Sequence, residues 1–443
     1  MLNKDYKISP EKYNLYSRKN FTENPRIKSL PQKTIEAILT VSTVLPFRVN
    51  NYIIDNLIDW NNIPYDPIYR LTFPQPEMLD DQDFKKMNEL LAKKASKDDI
   101  TTAARKIQMN MNPHPANQLE MNIPEQRGKI LNGMQHKYDE TVLFFPRQGQ
   151  TCHAYCTYCF RWAQFIGIDS IKFASRNTEN LINYLQNHPE ITDVLFTGGD
   201  PMFMQTKLLR RYIEPLLEQR PGNLSSIRIG TKSIAYWPYR FLTDNDSDDL
   251  MRMFDKIIAN GFHLSIMSHF SHYRELETPV AQAAVKRILS TGAVVRCQAP
   301  VVRHINDDPD IWARMWKAQV RLGAIPYYMF VARNTGPKEY FNVPLEQTLN
   351  IFTEAYKQVS GLCRTVRGPS MSATPGKVII SGITEICGEK VFALKFIQSR
   401  NPEWTNQIFF ARFDKKACWL SELKPAFGEK EFFFNEQDDF TCS

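Results

Sequence analysis

Thr141–Arg161 reads TVLFFPRQGQTCHAYCTYCFR. It begins as an apolar run, Thr141–Pro146, and passes directly into a polar loop that carries Cys152, Cys156 and Cys159. A short apolar run of this kind predicts a buried strand. In α/β folds the loops just beyond strand ends carry the chemistry, because they vary without disturbing the core. The same texture recurs downstream at Ile191–Phe196, Ser225–Gly230, Phe262–Met267, Ala293–Ala299 and Ile325–Phe330. Helical patterns fall between these runs, at Asn177–Asn187, Thr206–Glu218, Asp249–Asn260, Pro279–Ser290, Ile311–Arg321 and Leu345–Val359. Six strand–helix units predict an α/β fold with a parallel sheet covered by helices. A barrel, open or closed, suits this spacing better than a doubly wound sheet.

The flanks differ from this middle section. Residues 1–135 read as a mostly helical region, with helices expected at Lys33–Leu45, Phe84–Lys94 and Asp98–Met111. Prolines 64, 67, 74 and 76 argue for loop between the first two, and prolines 113, 115 and 124 mark another loop. Residues 136–370 form the expected barrel. Residues 371–443 read as a small C-terminal subdomain packed on it, with apolar runs at Lys377–Ile383 and Lys390–Phe396 and an aromatic end.

The chain has 443 residues, 43% of them hydrophobic, enough for a large core. The first thirty residues lack the apolar core and cleavage site of a signal peptide, and no apolar run approaches the length of a membrane span. A cytoplasmic protein is the expectation. The net charge of +7 is mild, without blocks of like charge, and suits an ordinary solvated surface. A nucleic-acid-modifying enzyme is the remaining use for that charge, but no RNA-binding module or basic, aromatic-laced tail is present. Eight cysteines are too few for a disulfide scaffold. Five are scattered: Cys297, Cys363, Cys387, Cys418 and Cys442.

The other three follow the spacing Cys-x3-Cys-x2-Cys. Three thiolates on one short loop can wrap one metal centre, and soft sulfur favours zinc or an iron–sulfur cluster. Zinc would need a fourth Cys or His. His153 is available, though ligation from both Cys152 and its neighbour is awkward, and a distant fourth ligand is the other route. A cluster with three protein ligands instead leaves one iron open to a small chelating molecule.

This spacing after a first barrel strand resembles the signature of the radical S-adenosylmethionine enzymes, as does Tyr158 between the last two cysteines. The resemblance implies a [4Fe-4S] cluster whose open iron binds S-adenosylmethionine. It also implies an external electron donor and a 5′-deoxyadenosyl radical that abstracts hydrogen. Thr197-Gly198-Gly199-Asp200-Pro201 strengthens it, because the family's glycine-rich turn lies beside the amino end of S-adenosylmethionine. Glycines allow close backbone approach, and carbonyls or Asp200 can receive an ammonium.

A narrower likeness is to the lysine 2,3-aminomutase family. It is carried by Leu45–Tyr65, Asp66-Pro67-Ile68, His136-Lys137-Tyr138, Arg228–Thr231, Ser268–His272, Gln298 and Ile305-Asn306-Asp307. The family resemblance implies pyridoxal phosphate held as a Schiff base by a lysine, with Gln298 near that cofactor and Arg161 binding the substrate carboxylate. The chain departs from the pattern at the lysine. Aligning Thr374-Pro375 puts Ala373 at the lysine position, and Lys377 serves only if the loop is rearranged. A lysine at a strand start is more often a surface residue. The family's two substrate-binding aspartates correspond to Arg333 and Arg367, which reverses both charges. Arginine forks suit carboxylate or phosphate and repel a second ammonium. An anionic, amino-acid-like substrate is therefore expected, unless an arginine pairs with a local carboxylate such as Glu339. Two uses of the radical stay open: a 2,3-amino shift with pyridoxal phosphate on Lys377, or a pyridoxal-phosphate-independent rearrangement, elimination or epimerisation. The C-terminal zinc cysteines of some family members are missing. The N-terminal region allows a homo-oligomer, as in the family.

Overall fold

The computed structural model describes residues 8–115, 121–167 and 173–435. Two antiparallel strand pairs stand apart from the main sheet: β1 (Leu15–Ser17) with β2 (Arg48–Asn50), and β3 (Glu125–Gln126) with β4 (Lys129–Ile130). Among the described residues the main sheet has eleven strands. These are β5 (Met134–Tyr138), β6 (Thr141–Phe144), β7 (Asp193–Phe196), β8 (Ser226–Thr231), β9 (His263–His269) and β10 (Val294–Val301). They continue as β11 (Ile325–Val331), β12 (Arg367–Ser372), β13 (Gly376–Ile386), β14 (Glu389–Ser399) and β15 (Ile408–Arg412). The strands lie side by side in chain order. A doubly wound sheet would reverse direction at a switch point; none occurs here.

β6 through β12 are parallel, and the two ends of the sheet are antiparallel. Helices connect the parallel strands because a parallel return must cross the sheet. They span Thr178–Asn187, Thr206–Gln219, Ser247–Ala259, Pro279–Ser290, Pro309–Arg321 and Leu345–Lys357. Local chemistry sets their starts. Thr278 and Asp308 accept hydrogen bonds from Ala281 N and Asp310 N, each ahead of a proline with a preset helical φ. Such caps contribute about 1 kcal/mol each. The strands then show two faces. On β10, Val295, Cys297, Ala299 and Val301 are buried in the core. Arg296 and Gln298 alternate with them on the other, half-buried face.

That second face is the inside of a curl. β5, at one edge, lies against β14 near the other. Lys137 of β5 donates to the carbonyl of Ala373, and the Lys377 Nζ sits 5.3 Å from the Tyr138 ring centroid. The barrel is thus closed by side chains rather than by strand pairing. The C-terminal section differs from the expectation of a subdomain resting on the barrel. β13–β15 extend the barrel sheet itself, because Ser372 and Lys377 are close enough along the chain to pair as an antiparallel corner. A second core, including Phe396, Trp404, Phe409 and Phe434, packs behind these strands. The β13–β14 hairpin turns at Cys387 and Gly388, φ 51° and 78°, as a two-residue turn with both residues left-handed requires.

The N-terminal region has the three expected helices, at Gln32–Val44, Asp81–Ala92 and Lys97–Asn110. It is pinned to the barrel by Asp66, which is fully buried, caps Tyr69 N and pairs with Arg274 at 2.5 Å. Among the described residues no helix is long and apolar enough to cross a membrane. Cys297 and Cys363 are buried, Cys387 is exposed at its hairpin tip, and Cys442 lies outside the described residues.

Candidate metal centre

β6 ends at Phe144 and the cysteine loop begins beyond it. The N-terminal region builds the back of this loop. Arg48 Nη1 donates to Thr151 Oγ1 at 2.6 Å and to the Cys152 carbonyl at 3.0 Å, while Tyr155 N donates to the Arg48 carbonyl. Tyr13 Oη donates to the His153 carbonyl at 2.7 Å. Thr157 N and Oγ1 bond to the carbonyls of Leu71 and Arg70. A loop of this kind has no ladder of its own to satisfy its backbone, so these partners hold its shape.

The glycine turn closes the front. Gly198 has φ 147°, and a Cβ on it would collide with the Gln150 side chain. A Cβ on Gly199 would collide with the backbone of Gln150 and Thr151. The close approach that demands glycine is therefore to the cysteine loop itself. Asp200 N continues the contact, donating to the carbonyls of Gly149 and Thr151. Its carboxylate turns inward instead and is only 2% exposed. It accepts from Thr231 Oγ1, Lys232 N, Ser233 Oγ and Met202 N at 2.7–2.9 Å. Those four donors saturate it. Of the two ammonium acceptors expected from the sequence, the carboxylate of Asp200 is committed to the fold, which leaves the backbone carbonyls of the turn.

All three cysteines are free thiols and half-buried. Burial pushes each of them up, Cys159 to about 12, and neighbouring thiolate charge raises Cys152 and Cys159 further. They become thiolates only with a cation to compensate the charge. Among the described residues no three Cys, His, Asp or Glu side chains are gathered tightly enough for a single metal ion. Zinc takes four ligands around one ion; a four-iron cluster takes one thiolate per iron, so three thiols leave one iron open. His153 is held by the fold on its Nδ1 side. Its Nδ1 lies 2.9 Å from Ser233 Oγ, and burial lowers it to about 3, so the ring is neutral and engaged. Gln150 Oε1, beside Gly198, is a buried acceptor without a donor. Three thiols on one held loop and an orphaned acceptor at the glycine turn fit an iron–sulfur cluster with a donor-bearing small molecule.

The three arginines expected at the substrate do not all meet. Arg161 and Arg333 share the Phe160 ring, their guanidinium carbons 5.7 and 4.8 Å from its centroid. Burial, and for Arg161 also the charge of Arg333, lowers both to about 10. Arg367 lies apart, exposed at the start of β12, over Tyr327 and bonded to Tyr328 Oη at 3.2 Å. Register explains the split: Arg333 follows the end of β11, whereas Arg367 begins β12 opposite Tyr328 in the middle of β11, so they stand at different depths of the barrel. Lys377 lies between them. It is half-buried and inward-facing, 4.8 Å from the Tyr328 ring centroid, and donates to Gln398 Oε1 at 2.8 Å. Burial, then the charges of Arg228, Arg367 and Arg333, lower it to about 7. It is not the surface lysine common at strand starts. Gln298 is half-buried on the inner face of β10.

A cavity of about 40 Å³ opens beside Arg161, Phe160, Gln135 and Gln164. A larger one, about 720 Å³, is lined by Tyr65, Tyr69, Arg303 and Tyr340 and by no residue of the cysteine loop or glycine turn. Several residues around the cysteines were not legible as site residues: Arg48, Asn50, Lys232, Tyr236 and Glu275. Arg48, Asn50 and Lys232 fall in or beside stretches already resembling the family, which was their only signal. Lys137, whose ammonium reaches the Ala373 carbonyl, fell within another such stretch.

Several known proteins are similar to this chain. A model described as a 4Fe-4S single cluster domain matches residues 141–271. The L-lysine 2,3-aminomutase of Bacillus subtilis (strain 168) is 25% identical over 335 residues, 72% of this chain and 68% of that one. A radical SAM methyltransferase structure from Sphaerobacter thermophilus aligns with TM-score 0.39 at 13% identity, over 64% of this chain and 92% of that one. The "Putative L-lysine 2,3-aminomutase" of Aquifex aeolicus (strain VF5) is 30% identical over 396 residues, covering 89% of this chain and 92% of its own. A likeness that runs through the N-terminal clamp, the cysteine loop and the barrel alike means that this chain belongs to the lysine 2,3-aminomutase family of the radical S-adenosylmethionine superfamily.

Proposed function

We propose that this protein abstracts hydrogen from an anionic, amino-acid-like substrate held in the barrel beside the cysteine loop. Cys152, Cys156 and Cys159 would hold the [4Fe-4S] cluster, and the backbone carbonyls of the Gly198-Gly199 turn would receive the ammonium of S-adenosylmethionine. Together these cofactors supply the 5′-deoxyadenosyl radical. The observation that carries the substrate class is the pair Arg161 and Arg333 on one Phe160 ring, next to the cysteines. Two neighbouring guanidinium forks suit a carboxylate or phosphate between them. Asp193, the carboxylate that acts on Lys377, is itself bound by Arg228. Ser370 adds a fully buried hydroxyl without a partner, two residues from Ser372, the register partner of Lys377. It therefore shares the inner face with that lysine.

Anaerobically reconstituted protein with S-adenosylmethionine and dithionite tests this. Glutamate or aspartate is expected to raise 5′-deoxyadenosine formation at least tenfold over the substrate-free rate, and lysine is not. Deuterated amino acid should pass its label to 5′-deoxyadenosine. Stimulation by lysine alone would sink the anionic reading.

The finer reading is a 2,3-aminomutase with pyridoxal phosphate on Lys377. Its support is an inward amine lowered to about 7. An ordinary lysine is protonated up to about pH 10. A lowered lysine loses its proton as pH rises through 7, and the free amine attacks an aldehyde. Added pyridoxal phosphate should therefore give a borohydride-reducible absorbance band that grows from pH 6 to pH 8 and vanishes in Lys377→Ala. Ala373 favours the other reading: it is buried and apolar where the family places its lysine. A protein that forms no such band at pH 8 performs a rearrangement, elimination or epimerisation without pyridoxal phosphate.

A further inference from the structure

Tyr236 is 1% exposed, and its hydroxyl lies 3.0 Å from Cys156 Sγ. Asn50 fixes this distance. Its Nδ2 donates to the carbonyls of both Tyr236, at 2.9 Å, and His153, at 3.2 Å, so one amide ties the tyrosine to the cysteine loop. Behind the phenol stands Lys232, its Nζ 4.7 Å from the ring centroid. Lys232 pairs with the fully buried Glu275 at 2.8 Å and donates to Ser271 Oγ at 3.1 Å. Ser271 Oγ in turn lies 2.7 Å from the hydroxyl of Tyr158, the residue before Cys159. Glu275 Oε2 also accepts from Ser271 N and His272 N, which holds the ion pair in place. A buried cation is thus joined to the cysteine loop on two sides.

We propose that the Tyr236 hydroxyl, backed by the Lys232–Glu275 ion pair, sets the reduction potential of the iron–sulfur cluster. A cysteine that ligates iron carries no proton, so the phenol is the donor in the bond to Cys156. When the cluster takes one electron from a reductant, no bond breaks and its negative charge grows by one. A hydrogen bond to a ligand sulfur stabilises that added charge and raises the potential. A nearby buried cation acts in the same direction, and the carboxylate of Glu275 offsets it. The inference rests on the three cysteines being the cluster ligands; failure of that reading shows as native protein that takes up no iron, before any variant is made.

The test is a redox titration of reconstituted protein without S-adenosylmethionine, followed by electron paramagnetic resonance. Tyr236→Phe keeps the ring and removes the hydroxyl. It should hold the native content of iron and sulfide while its midpoint moves negative. At the poise where the native cluster is half reduced, its reduced-to-oxidised ratio should fall about tenfold, about 59 mV for one electron. Glu275→Gln leaves Lys232 uncompensated and should move the midpoint positive. A Tyr236→Phe midpoint equal to the native one overturns the proposal. So does a Tyr236→Phe protein that binds no cluster, since the phenol then serves assembly alone. An unchanged Glu275→Gln midpoint removes the ion pair from it.

Discussion

Alanine at any one of Cys152, Cys156 or Cys159 is expected to abolish the iron–sulfur spectrum and all 5′-deoxyadenosine formation, while the fold survives. The loop does not depend on the thiols for its shape. Arg48 bonds to Thr151 and Cys152 O, Tyr13 to His153 O, and Thr157 to the carbonyls of Arg70 and Leu71, all through groups that a Cys→Ala change leaves alone. Removing one of three ligands leaves two thiolates for four irons, too few to hold the cluster with an open position. Iron and sulfide analysis after anaerobic reconstitution, alongside far-ultraviolet circular dichroism, checks both halves of the expectation. Full iron content in any of the three variants would show that the cluster is held elsewhere.

Asp200→Ala should cost about 4 kcal/mol of stability, by a different route. The change strands four donors around a carboxylate that is 2% exposed. Each buried donor left without an acceptor costs about 1–3 kcal/mol. The hydroxyls of Thr231 and Ser233 can rotate to other acceptors; the backbone N–H groups of Met202 and Lys232 cannot, which sets the total nearer the lower sum. Asp200→Asn keeps one acceptor oxygen and should lose less than half as much. Denaturant unfolding of the two variants measures the difference. Because the lost bonds hold the turn that follows Gly198 and Gly199, the Ala variant should also bind S-adenosylmethionine more weakly. A loss under 1 kcal/mol would mean that the carboxylate does not organise the turn.

The barrel strands and helices were legible because their signals are local. Thr141–Phe144 and Asp193–Phe196 are short apolar runs, and Thr278-Pro279 and Asp308-Pro309 cap and preset the helices that follow them. The cysteine spacing and the Gly198-Gly199 pair were legible for the same reason. Arg333 and Arg367 show the limit. Alignment gave both the same meaning, yet one follows the end of a strand and the other begins the next, so they lie at different depths. Asp200 shows it differently: an acid after two glycines reads as a ligand, and only its four inward donors reveal a structural knot. The C-terminal strands were visible as apolar runs, but their joining the barrel sheet depends on the pairing of Ser372 with Lys377.

By itself the sequence determined which residues share a loop: three thiols within eight positions, with a glycine turn one strand–helix unit later. Nearness of that kind follows from chain connectivity and survives any folding detail. The tertiary structure alone decided what meets across long separations. Arg48 reaches Cys152, Asn50 ties His153 to Tyr236, and Lys137 reaches Ala373, each across more than a hundred residues. These meetings depend on how far the sheet curls and where the N-terminal region docks. Both are set by the packing of whole faces, which no short stretch of residues encodes.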